Sequence, residues 1–145
     1  MELKTFKKIV GDYLSGKEFL KKGSYYYLFL KELIIVIGFQ KSNYSNGYYI
    51  NIGYIISELN PNLLLPRDVD GDIRARFSIE SDGEKIDFFD LYKITNDAVV
   101  SSLEENSKLY VTGITTVENL RLLLEKNPIM LYQTKLVAKQ FLNLE

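Results

Sequence analysis

The chain has 145 residues, 18 basic and 19 acidic, for a net charge of −1; it is sized for one domain over residues 1–145 and carries no global field to gather nucleic acid or an anionic membrane. It has no cysteine and no histidine, which removes disulfides, thiolate nucleophiles, Cys-ligated metals and every catalytic triad built on His. Charges interrupt the start, MELKTFKKIVGDYL, where a signal peptide needs an unbroken apolar core, so the expected setting is cytoplasmic with no membrane partner.

Leu3, Phe6, Ile9, Val10, Tyr13 and Leu14 recur at helical spacing with lysines between them, and Gly16 is placed to end that helix. The lysine-rich GKEFLKKG that follows reads as a solvated turn. Next comes the densest stretch of the chain, Gly23 to Ile56, with three strand candidates. Tyr25–Leu30 precedes the unbroken apolar run Leu33–Gln40, and an apolar run without alternation belongs in the middle of a sheet. Tyr48–Ile56 follows. Lys31-Glu32 and Asn46-Gly47 are the turns between them, the second expected to use positive φ. In the third strand Tyr48, Ile50, Ile52, Tyr54 and Ile56 share one face, and Tyr49, Asn51, Gly53 and Ile55 the other. Gly38 and Gly53 mark either a bulge or a close approach of another group.

The Pro- and Asn-rich SELNPNLLLPRDVDGD is a long loop, of a length that is often functional or mobile. Ile73, Ala75, Phe77 and Ile79 then alternate with Arg74 and Arg76, as in a half-buried strand with its arginines outward. Asp82-Gly83 turns the chain back into Lys85–Leu91. From Ile94 the period becomes helical, with Thr95 or Asn96 as the first cap, Thr115 and Glu118 as a capping box, and Asn127-Pro128 opening a last helix. The fold class expected is α+β: an N-terminal helix, a five-stranded, mainly antiparallel meander, and C-terminal helices on one face.

Three pieces stand in a recognisable order: Phe19-Leu20-Lys21-Lys22-Gly23, then Gly38-Phe39-Gln40-Lys41-Ser42 leading to Ile50-Asn51-Ile52-Gly53, then Asp72-Ile73-Arg74-Ala75-Arg76-Phe77. Together they resemble the small bacterial family catalogued as domain of unknown function four-three-zero-four, over roughly residues 1–95. The resemblance implies an α+β fold and no established activity. Members often carry a tryptophan pair after the arginine strand, for which Phe88-Phe89 is the nearest match here.

Two constellations are candidate sites. Gln40, Lys41, Ser42, Tyr49, Asn51, Arg74 and Arg76 offer amide, ammonium and guanidinium donors, and an aromatic ring, to an acidic or carbonyl-rich partner surface. The competing reading has Gln40 and Asn51 closing strand ends while the arginine stems cover the sheet. Asp68, Asp70 and Asp72 put three carboxylates on one turn, but the glycine and distal glutamate of a calcium loop are missing. A polar turn is the competing reading there. Of the eleven tyrosines, Tyr44 and Tyr49 are the ones expected to be exposed.

These residues support a non-enzymatic protein-interaction module, immunity- or adaptor-like by analogy, binding a protein partner through a polar-aromatic sheet face. The alternatives are a sheet that binds a small ligand or nucleic acid, and a divalent-metal hydrolase on the Asp68/Asp70/Asp72 turn. No catalytic residue, metal ligand or cofactor is assigned, and nucleic acid is disfavoured as a partner.

Overall fold

The computed structural model describes residues 1–145, and its first element follows from the spacing of apolar residues. Helix α1 (Leu3–Gly16) buries Phe6, Val10 and Leu14 and turns its lysines to solvent. The left-handed residue that ends it is Glu18, at φ 71, not Gly16. The supposed turn beyond contains an edge strand, β1 (Leu20–Lys22). All three of its residues are exposed, so it has no alternation to read. Gly23, at φ 62, begins the two-residue connection to the next strand.

Strands β2 (Tyr25–Phe29), β3 (Leu33–Lys41) and β4 (Gly47–Ile56) form the expected antiparallel meander, with Val36 opposite Gly53 and Gly38 opposite Asn51. The Asn46-Gly47 turn uses no positive φ. Glycine is required there for another reason: the ring of Phe88 lies 2.0 Å from where a Cβ would stand.

The alternating stretch after the loop is broken into two strands. Its first part, β5 (Ile73–Arg76), pairs with β4, and its second, β6 (Ile79–Ser81), forms a separate hairpin with β7 (Glu84–Ile86). The break comes at Ser78, whose backbone is captured by a helix: its N–H donates to Asn106 Oδ1 at 2.9 Å and its carbonyl accepts from Asn106 Nδ2 at 2.7 Å and from Ser102 Oγ. Asp82 and Gly83, at φ 51 and 81, make the hairpin turn. The expected return strand is broken too, and its last part, β8 (Phe89–Asp90), pairs with the start of β4. The main sheet thus has six strands: β1-β2-β3-β4-β5 in order, with β8 beside β5 on the same edge of β4.

Helices α2 (Asn96–Tyr110) and α3 (Val117–Lys126) join α1 over one face of the sheet, where a cluster of 28 buried residues includes Phe6, Leu33, Ile35, Ile52, Tyr54, Leu103 and Leu124. Thr95 caps α2. Helix α3 is capped by Thr116 with Asn119 in reciprocal bonds, one residue on from the expected Thr115/Glu118 box, and Glu118 pairs instead with Arg121. The expected last helix is two pieces, a 3-10 turn over Pro128–Gln133 and a short helix, α4 (Leu136–Phe141). Between them Thr134 bridges to Ile73 and the Lys135 N–H donates to the Asp72 carbonyl at 2.8 Å, so the chain extends to serve the free edge of β5.

The opposite face carries a smaller cluster, Tyr27, Val36 and Ile55, onto which the 57–72 loop folds. Tyr27 donates to the Pro66 carbonyl at 2.8 Å. Asp72 accepts from the Ile56 N–H at 2.9 Å and from Asn60 at 2.8 Å, pinning both ends of the loop. Gly53 and Gly38 are the close approaches, not bulges: a Cβ on Gly53 would stand 2.6 Å from the Asp68 carbonyl oxygen, and one on Gly38 would stand 2.8 Å from the Tyr25 ring.

Candidate functional site

The register of β3, β4 and β5 puts Gln40, Tyr49, Asn51, Arg74 and Arg76 on the face away from the helices. Asn51 lies directly across from Arg76, and Gln40 from Tyr49, so four of these side chains meet. Arg76 Nε donates to Asn51 Oδ1 at 3.0 Å, Asn51 Nδ2 donates to Gln40 Oε1 at 2.9 Å, and Arg76 Nη2 donates to the same Gln40 oxygen at 3.2 Å. The remaining terminal nitrogen reaches Asp87 at 3.3 Å, and the guanidinium carbon lies 3.9 Å from the centre of the Tyr49 ring. Arg76 is therefore held in a closed network with its plane against an aromatic face.

Arg74 stands two residues along the same strand, opposite Gly53, half-buried, and makes no ion pair or side-chain hydrogen bond. Both arginines line a groove of about 820 Å³ whose far wall is the β6–β7 hairpin and the Pro128–Gln133 turn. That wall supplies Ile86 and Ile129, the latter 75% exposed. Tyr110 also lines the groove, and burial raises its phenol above the usual tyrosine range, so it stays a neutral donor.

Lys41 and Ser42 are not part of this arrangement. Lys41 pairs with Tyr48 and points to the helix side, and Ser42 is buried with its hydroxyl accepting from the Tyr44 N–H. Tyr44 is 96% exposed, as expected, while Tyr49 is half-buried beneath Arg76 and beside Phe88. Phe89, second of the pair that stands for the tryptophans, is in the core.

The three carboxylates of the 68–72 turn diverge. Asp72 is committed to Ile56 and Asn60, with Lys135 at 3.9 Å. Asp70 bonds the Arg67 N–H at 2.8 Å, and that bond, with the Arg67 guanidinium, lowers its pKa. Asp68 is buried beside Gly38. No three acidic side chains converge closely enough to hold a metal ion.

A second concavity, of about 730 Å³, lies on the helix side, between the outer flank of α1 and the ends of β1 to β3. It collects Lys4, Lys7, Lys8, Lys21 and Lys41, and its only acidic residue is Asp12. The lysines come from three elements far apart in the chain, which no local motif displays. The one hint in the sequence is that residues 1–45 hold eight lysines against four carboxylates. The apolar wall of the arginine groove was equally hidden, since Ile129 enters it only because the chain after α3 turns back along β5.

No curated protein and no solved structure matches the chain. The family model described as "Domain of unknown function (DUF4304)" matches residues 10–114, from within α1 to just past α2, leaving α3, the Pro128–Gln133 turn and α4 outside it. With the end of α1, the meander, the arginine strand and α2 inside the matched span, the chain belongs to the DUF4304 family.

Proposed function

We propose that this chain is a non-enzymatic protein-interaction module that takes an acidic, partly apolar segment of a partner protein into the arginine groove. The observation that carries the proposal is Arg74, an unpaired, half-buried guanidinium in the groove that it lines together with the fixed Arg76 and the exposed Ile129. A guanidinium recognises a carboxylate with two parallel hydrogen bonds, and arginines and aromatic rings are the side chains most favoured where proteins meet. Ile86 and Ile129 supply the apolar contact that would accompany such an ion pair. The closed Arg76–Asn51–Gln40 network pre-orders this surface, which lowers the entropy lost on binding.

The test is capture of partners from the host's lysate by the wild type, by Arg74→Glu and by Ile129→Asp, followed by titration of the purified partner. Neither residue holds the fold, so all three proteins should melt alike. The expected result is a protein held by the wild type and lost from both variants, with affinity reduced about tenfold or more for a desolvated arginine contact. A partner that binds all three equally refutes the groove.

A further inference from the structure

We propose that the lysine groove on the helix side is a second binding site, and that its ligand is the phosphodiester backbone of nucleic acid, held without reading of the bases. The chain as a whole is slightly acidic, yet this concavity has five lysines and a single carboxylate among its lining residues. Asp12 neutralises only Lys8, at 2.9 Å, which leaves Lys4, Lys7, Lys21 and Lys41 without anionic partners. A solvated helix face would account for lysines on α1. It does not account for Lys21 from β1 and Lys41 from β3 closing on the same hollow, against the repulsion of like charges.

The chemistry of the walls decides between possible anions. Tyr26 and Tyr48 are buried and Phe39 is half-buried beneath the Lys7 ammonium, so the groove offers no freely exposed apolar anchor of the kind a protein partner needs at the centre of an interface, and lysine is depleted from such centres. Lysine as a point charge suits phosphate. The aromatic faces within reach are already occupied: the Lys7 ammonium lies 5.7 Å from the Phe39 ring and 5.9 Å from that of Tyr48, leaving no platform on which a base stacks. What remains is a set of exposed cations lining one groove, a surface for several phosphates. The site shares no lining residue with the arginine groove at the β5 edge, so the two can be filled together.

The test is fluorescence anisotropy with a labelled duplex and a labelled single strand of about 20 nucleotides each, at low salt. Four phosphate contacts predict a log–log salt slope of about −2.8 for the single strand to about −3.6 for the duplex, or roughly 50- to 150-fold weaker binding between about 50 and 200 mM salt. Sequence should not matter. Lys4→Gln/Lys7→Gln/Lys21→Gln/Lys41→Gln should weaken binding about tenfold or more and flatten the slope, and arginine at the same four positions should preserve binding. Lys31→Gln/Lys93→Gln/Lys108→Gln/Lys126→Gln, with the same change in net charge at exposed positions outside the groove, should bind like the wild type. Absence of binding by the wild type at low salt overturns the proposal. So does equal loss in both glutamine variants, or equally tight binding of a polyglutamate peptide of matched charge.

Discussion

Replacing Gly53 with alanine tests the contact that fixes the 57–72 loop on the sheet. Glycine-to-alanine changes in extended backbone ordinarily stabilise a protein by about 0.4–1 kcal/mol, because the unfolded chain loses freedom. Here the new methyl would stand 2.6 Å from the Asp68 carbonyl oxygen and 3.4 Å from that residue's Cα, and both are backbone atoms that cannot swing away. A carbon–oxygen contact relaxes at about 3.3 Å, so the loop must retreat by about 0.7 Å. Overpacking of that kind costs about 1–3 kcal/mol, leaving a net loss of about 1.5 kcal/mol, or a fall in Tm of about 5 °C for a domain of this size. Urea unfolding measures the energy, and limited proteolysis between residues 60 and 68 measures the release of the loop. Gly83→Ala is the contrast: nothing lies within 4 Å of its Cβ position, so its cost comes only from φ 81 and leaves the loop untouched. A Gly53→Ala protein that melts at or above the wild-type temperature, with unchanged cleavage, refutes the close approach.

Asn106→Ala removes the side chain that satisfies both backbone groups of Ser78, and thermal or urea unfolding should show a loss of about 2–4 kcal/mol, as for buried polar groups left without partners. Tyr54 is fully buried and donates to the Tyr110 carbonyl at 2.6 Å, so Tyr54→Phe should cost about 1–2 kcal/mol at neutral pH. Burial also raises this phenol well above its ordinary value of 10.0. The unfolded chain therefore releases the proton first, and stability, unaffected below that pH, falls as pH rises above it. The fall should be shallower in Tyr54→Phe by about 1.4 kcal/mol per pH unit, measured by urea unfolding across the alkaline range. Arg76→Lys keeps the charge but not the planar fork that bonds Asn51, Gln40 and Asp87 together. It should cost under about 1 kcal/mol in stability, because the Asp87 pair is largely exposed, while a crystal structure or side-chain NMR shows Gln40 and Asn51 released.

The meander and the sorting of Tyr49, Asn51 and Gly53 onto one face were legible in the sequence, because strand periodicity is a local property and an unbroken run such as Leu33–Gln40 has only one comfortable place in a sheet. The two glycines were legible as special positions, though a bulge and a close approach stayed equally open, and Gln40, Asn51 and Arg76 were legible as residues that could share a face, their meeting waiting on the register. The breaks in the two later strands were not legible, since Ser78 leaves the sheet for a partner, Asn106, that lies 28 residues further on. Nor was the need for glycine at position 47, which a distant ring imposes. Lys41 looked like a neighbour of Gln40 and is one in the chain only, because adjacent strand residues point to opposite sides of the sheet. Sequence alone determined which side chains each strand presents and which chemistries the chain lacks. The tertiary structure alone decided what each face meets: an arginine groove walled by a segment that returns from the C-terminal end, and lysines from α1, β1 and β3 gathered in one hollow. Charge balance over a whole chain is blind to such gathering, because the electrostatic potential depends on distances in space and not on totals.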